Sequence, residues 1–133
     1  MLDTFMLHIN NITYDGRLAH LLSTRNVGGG RAYVDVLCSN SAQVAVSTSL
    51  STNIVPLPTF SWSVECVTHE MGHNMGSRHT HACAWNGNNT AIDGCGPAAG
   101  YNEGCNGPLP QDGTIMSYCH LLSGVGIDFN LGF

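Results

Sequence analysis

One string limits what this chain can be more than any other. It is His69-Glu70-Met71-Gly72-His73-Asn74-Met75-Gly76-Ser77-Arg78-His79, which reads H-E-x-x-H-x-x-G-x-x-H. Residues four apart share a face of a helix, so His69 and His73 project together and can share one metal ion. Glu70 lies beside them, where its carboxylate reaches a metal-activated water without ligating the ion. Gly76 can end the helix in a left-handed conformation and let His79 swing back as a third ligand. Three neutral imidazoles hold Zn²⁺ and leave a fourth position open for water, whose pKa falls to about 7. Glu70 is then placed to act as general base. With seven His, three Glu and sixteen Gly in 133 residues, a chance match is on the order of 5 in 100,000 over the chain. A core helix carrying the same residues incidentally would bury three imidazoles and a carboxyl without partners.

The flanking sequence gives the site a scaffold. From Trp62 to Met75 the pattern is helical, with Val64, Val67, Met71 and Met75 in one apolar sector and His69 and His73 on the opposite side. Ser61 is the expected N-cap, and Glu65 suits the positive end of the helix dipole. Upstream, Leu18–Ser23, Arg31–Cys38 and Gln43–Thr48 read as strands, the last with a period of two. Gly28-Gly29-Gly30 reads as a flexible turn, and a loop with Pro56 and Pro58 leads into the helix. Beyond Gly76 some forty residues are loop-like and rich in Gly and Asn. Packing alone cannot bury that part, and crosslinks are expected to substitute for a core.

The six cysteines fall at 38, 66, 83, 95, 105 and 119. None forms C-x-x-C, which argues against a Cys-only zinc site and for disulfides in an oxidising compartment. A net charge of -5 with only four Lys plus Arg leaves no basic face for nucleic acid. No apolar run has the length of a membrane span. The opening residues Met1-Leu2-Asp3-Thr4 carry no secretory signal, so the chain reads as a fragment whose signal lies upstream. The sequence is silent on oligomeric state.

The eleven-residue string is the metzincin signature. Metzincins also carry a downstream Met-turn, and Gly113-Thr114-Ile115-Met116-Ser117-Tyr118 resembles it. With Gly30-Arg31-Ala32-Tyr33-Val34, Leu37-Cys38, Trp62-Ser63-Val64-Glu65 and His79-Thr80-His81-Ala82-Cys83, the chain resembles the reprolysin-like (adamalysin-like) branch, most closely its secreted bacterial members. The resemblance implies an α+β metzincin (zincin-like) fold. A twisted, mainly parallel sheet with one antiparallel edge strand packs on the long active-site helix, and an irregular disulfide-bonded lower part follows. It implies a catalytic domain over residues 1–133 that is incomplete at both termini. It implies that His69, His73 and His79 bind one Zn²⁺, that Glu70 is the base and that Met116 is the Met-turn residue. Tyr118 is similar in place to a zinc- or oxyanion-facing Tyr of the astacin and serralysin branches, against which stands a Tyr packed in the pocket wall. Arg31, Ala32, Tyr33, Val34, Asp35 and Val36 would form the edge strand to which an extended peptide or protein substrate adds. The implied activity is a zinc-dependent metalloendopeptidase hydrolysing internal bonds of extracellular proteins, secreted from the cell. The alternative is a catalytically incompetent zinc-binding fragment of such a protease. One departure is Thr80, where animal reprolysins carry Asp.

Lesser signals remain. Cys95–Cys105 would close a short loop, and Cys83–Cys119 would tie the segment after the third ligand to the Met-turn. Cys66 shares the zinc face and is expected as a disulfide partner of Cys38 or a free buried thiol, since three His already fill the site. His81 is expected to be solvated or to support the ligands from behind. His8, His20 and His120 have no ligand spacing. Asn86, Asn88, Thr90 and Asp93 give an oxygen-rich loop open to Ca²⁺, although turn formation explains it better.

Overall fold

The computed structural model describes all 133 residues, Met1–Phe133. They form two compact units, Met1–Ser77 and Arg78–Phe133.

The first unit is built on a three-stranded mixed sheet. In chain order it contains helix α1 (Leu2–Asn10), strands β1 (Ala19–Leu22), β2 (Gly30–Ala32) and β3 (Val44–Ser47), and helix α2 (Trp62–Asn74). The sheet order is β1-β3-β2. β3 pairs in parallel with β1, in the register Ala19↔Val44 to Leu22↔Ser47. It pairs antiparallel with β2, in the register Gly30↔Ser47 to Ala32↔Ala45. The fold is thus α+β with an antiparallel edge strand, but parallel and antiparallel pairings are equal in number rather than mainly parallel. β3 does not alternate in burial as its period of two suggested. All four of its residues are buried, because it is the central strand and both α1 and α2 pack against it. Helix α1 was not expected; its residues are all at least partly exposed.

The strand expected over 31–38 stops at Ala32, for a reason visible in the backbone. Asp35 takes φ 58°, a left-handed conformation that ends an extended strand. The Asp35 and Val36 N–H groups then donate to the carbonyls of His73 and Asn74, both at 2.9 Å. The last carbonyls of a helix need partners, and this segment supplies two. Asn74, 1% exposed, adds a second tie through its side-chain amide, which donates to the carbonyls of Tyr33 (3.0 Å) and Val44 (3.1 Å). Tyr33, Asp35 and Val36 therefore fasten the end of α2, and Tyr33 to Val36 do not extend the sheet edge.

Helix α2 matches its expected span to within one residue. Ser61 holds an extended N-cap backbone but makes no side-chain cap bond. The buried face of α2 is the unexpected feature. Glu65, Cys66, His69, Glu70, Gly72, His73 and Asn74 are buried, whereas Met71 and Met75 are exposed. Met71 and Met75 of the apolar sector are turned outward and Val64 and Val67 are only half-buried, so the fully buried face is chosen by the polar residues. Gly76 ends the helix at φ 104°, as expected, with the space its Cβ would take bordered by Asp35.

The second unit has little regular structure beyond helix α3 (Cys95–Ala98) and two short 3-10 turns. Its core is Cys95, Cys119 and Ile127, with Leu122, Val125 and Phe129 packed around them. The four expected cysteines are crosslinked, but in other pairs: Cys83–Cys105 and Cys95–Cys119. Burial explains the second pair. Cys95 and Cys119 are both fully buried and sit at the centre of the core, so neither reaches the exposed loop that carries Cys105. Cys38 is free and exposed, and Cys66 is free and buried. The Asn86–Thr90 loop closes on itself. Asn86 and Asn89 adopt φ 59°, and the Asn86 amide and Asn88 side chain both bond the Thr90 hydroxyl.

Candidate metal centre

Within α2, the His69 and His73 rings lie edge to face with centroids 4.8 Å apart. Both are buried. His73 Nδ1 stands 2.8 Å from the carbonyl oxygen of Ser77. A carbonyl only accepts, so Nδ1 carries the proton and Nε2 keeps its lone pair. Along the continuous stretch 69–79, one ligand atom each from His69, His73 and His79 lies within 4.8 Å of the others. The donor set is three imidazoles, which suits Zn²⁺. Carbonyl and carboxylate partners on the far ring nitrogens are the arrangement that orients ligating histidines.

Glu70 is 5% exposed, and its Oε2 has no hydrogen-bond partner. Burial pushes its carboxyl up to about 8 in the metal-free chain, because the charged form loses its hydration. Its position depends on Gly30. A Cβ at residue 30 would overlap Oε1, Cγ and Cδ of Glu70, so only glycine lets the first residue of β2 lie against this carboxyl. Glu65, one turn earlier on α2, is 1% exposed with neither carboxyl oxygen hydrogen-bonded, and burial raises it to about 8 as well. Burial also pushes the Cys66 thiol up, opposed by its hydrogen bond to Ser47.

The second unit surrounds His79 with aromatic and polar groups. His79 Nδ1 lies 2.5 Å from Oε1 of Glu103, and Trp85 Nε1 donates to the His79 carbonyl at 2.7 Å. The His81 ring stacks on His79 at 4.9 Å and 9°. Tyr118 stands against both, 4.7 Å from His79 and 4.8 Å from His81. Thr80, in the position of the departed Asp, is buried. Its N–H donates to the Met116 carbonyl (3.2 Å), and its own carbonyl accepts from Ile92 N–H (2.7 Å). Met116 is fully buried in a turn closed by Ser117 N–H donating to Thr114 O. Gly113 makes room there for Ser117 and Cys119.

Of the expected edge strand, Arg31 and Ala32 lie on the antiparallel edge, and Tyr33 to Val36 do not. His81 is neither solvated nor exposed; its relative exposure is 0%. Burial and the neighbouring His79 hold its pKa down, against the pull of Glu103 and Asp93. His20 is half-buried and bonded to Ser47 Oγ at 2.9 Å. Gly30 and Glu103 were missed by sequence reasoning, since neither has motif spacing. Scarcity was the available signal. All three Glu of the chain, Glu65, Glu70 and Glu103, stand either on the buried face of α2 or against His79.

The family model described as metallo-peptidase family M12, of reprolysin type, matches residues 1–121. No curated protein and no solved structure matches the chain.

Proposed function

The chain belongs to metallopeptidase family M12, and on that premise we propose that it is a zinc-dependent endopeptidase that cleaves internal peptide bonds of extracellular proteins. The supporting observation is the grouping of His69, His73 and His79 beside a buried carboxyl, Glu70, that stays outside the ligand set.

In this reading the three histidines hold one Zn²⁺. The ion supplies Lewis acidity for a peptide carbonyl and brings a bound water's pKa to about 7. Glu70 accepts the proton of the attacking water and delivers it to the leaving amide nitrogen. Gly30 fixes where that carboxylate stands. His73 presents Nε2 because Ser77 occupies Nδ1. An extended substrate adds antiparallel along the free edge of β2, using backbone bonds at Gly30–Ala32. Tyr118 offers a phenol beside His79 for the developing oxyanion, and Met116 is the Met-turn residue. The second unit, crosslinked and poor in charge, suits an oxidising, extracellular setting.

Hydrolysis of quenched casein tests this. Activity should be abolished by a chelator and by Glu70→Gln, with the variant keeping a full equivalent of zinc by elemental analysis. Zinc at full occupancy in the wild-type chain with no hydrolysis would instead support a non-catalytic zinc-binding module.

A further inference from the structure

The edge strand β2 has two faces, and only one of them looks toward Glu70. Gly30 faces α2, because a Cβ there would overlap the Glu70 carboxyl. Its cross-strand partner Ser47 faces the same way and bonds the Cys66 thiol. Side chains alternate along a strand, so Arg31 and its own partner Val46 face away from α2. On that far face lies a pocket of about 280 Å³, lined by Val27, Arg31, Val46, Thr48 and the three glycines that precede Arg31. Its wall is fixed before any ligand arrives. Thr48 Oγ1 lies 2.6 Å and 2.7 Å from the Gly28 and Gly29 carbonyl oxygens, and the Trp62 ring stands 3.5 Å from where a Cβ on Gly29 would sit. Arg31 is exposed, and its side chain has neither a hydrogen bond nor an ion pair. The Asp3 carboxylate on α1 accepts from the Tyr33 hydroxyl instead. One of only four cationic side chains in a chain of net charge -5 is thus left with its guanidinium donors free beside a preformed wall.

We propose that Arg31 and this pocket select peptides with an acidic side chain, Glu or Asp, at the position that pairs with Arg31 on the edge of β2. The inference rests on the peptidase reading for the addition of substrate to that edge. In an antiparallel pair, directly opposed residues put their side chains on the same face, with Cβ atoms about 4.5–5.5 Å apart. The substrate residue opposite Arg31 therefore points to the far face, and its two neighbours point to the face that carries Glu70. A carboxylate on the far face accepts two parallel N–H bonds from the guanidinium, and Val27 and Val46 offer apolar surface to its methylenes. A Lys in the same place meets a like charge. Selection is confined to that far-face position and acts in binding, because Arg31 faces away from the reacting groups. An interaction made equally in the ground state and the transition state changes KM and leaves kcat alone.

The test scans Glu, Ala and Lys singly along a neutral quenched peptide, on both sides of the scissile bond, with the zinc-loaded chain. At one position Glu should be preferred to Lys by about five- to tenfold in kcat/KM, through KM, and at the positions next to it by less than about twofold. Arg31→Glu should reverse the preference at that position. Salt at about 1 M, where the Debye length is about 3 Å, should shrink it in the wild-type chain. A second arm needs no hydrolysis. In the zinc-loaded Glu70→Gln chain, the Glu peptides should shift the Arg31 Nε–Hε and Val46 methyl resonances, and the Lys peptides should leave them in place. Equal cleavage of Glu and Lys peptides at every position would overturn the proposal, as would a preference that survives Arg31→Glu. If no peptide is cleaved at full zinc occupancy, the peptidase reading fails and the resonances still decide this one. Shifts with the Glu peptides alone uphold the acidic site, and absent or equal shifts refute it.

Discussion

Replacing Glu65 by Gln should change how stability depends on pH. Glu65 is 1% exposed, neither of its oxygens has a hydrogen-bond partner, and burial raises its pKa from 4.5 to about 8. Below pH 4.5 the carboxyl is neutral in both folded and unfolded chains and contributes nothing. Between 4.5 and 8 the unfolded chain releases the proton and the folded chain keeps it, so the native state loses stability as pH rises. The loss runs at about 1.4 kcal/mol per pH unit. It reaches about 3 kcal/mol at pH 7 and levels off at about 5 kcal/mol above pH 8. Gln has no such titration. The stability of Glu65→Gln relative to wild type should therefore climb through this window, whatever constant offset the buried amide adds. Glu70 carries a similar shift, but it is present in both proteins and cancels in the difference. Urea denaturation of both chains at half-unit steps from pH 4 to 9, in the same metal state, measures it. A difference that stays flat across the window would refute the reasoning and would mean that Glu65 is ionised and partnered in the folded chain.

Gly30→Ala should lower kcat/KM by about a hundredfold, because the added methyl displaces the Glu70 carboxyl by a distance that matters to catalysis; elemental analysis should find zinc content unchanged. Asn74→Ala should cost about 2 kcal/mol or more in urea denaturation, since it leaves the Tyr33 and Val44 carbonyls buried without a donor. Cys95→Ser with Cys119→Ser should cost about 3 kcal/mol, the closure of a loop of separation 24, while loss of Cys83–Cys105 at the exposed rim should leave the Cys95–Cys119 core protected in hydrogen exchange.

The eleven-residue string was legible because its spacing is itself the geometry: 69 and 73 share a face on any helix. The span of α2 was legible for the same reason. Its orientation was not. Val64, Val67, Met71 and Met75 make a sector that periodicity assigns to a core, yet the helix turns Glu65, His69, Glu70 and His73 inward. Periodicity reports where apolar residues lie around a helix, not which side the tertiary structure uses. The strand over 31–38 failed likewise. Tyr33, Val34 and Val36 have strand propensity, but the carbonyls at the end of α2 need donors, and that requirement outweighs pairing at a sheet edge. The pairing of the four cysteines was not legible because it depends on which of them are buried together.

The rigidity of the site comes from residues with no motif. Three ties hold the functional face of α2: the Asp35 and Val36 amides on its last carbonyls, the Asn74 amide bridging Tyr33 and β3, and the absent side chain at Gly30. Each acts where helix propensity does not, since α2 buries two carboxyls and two imidazoles and exposes Met71 and Met75. A face so costly to bury is stable only when its polar groups find partners. A dication on the histidines would supply one, and by binding the folded chain in preference to the unfolded one it would couple metal affinity to folding. The arrangement that places Glu70 for catalysis is thus also the one that leaves the metal-free chain least stable, and the two properties should move together in any variant that loosens these ties.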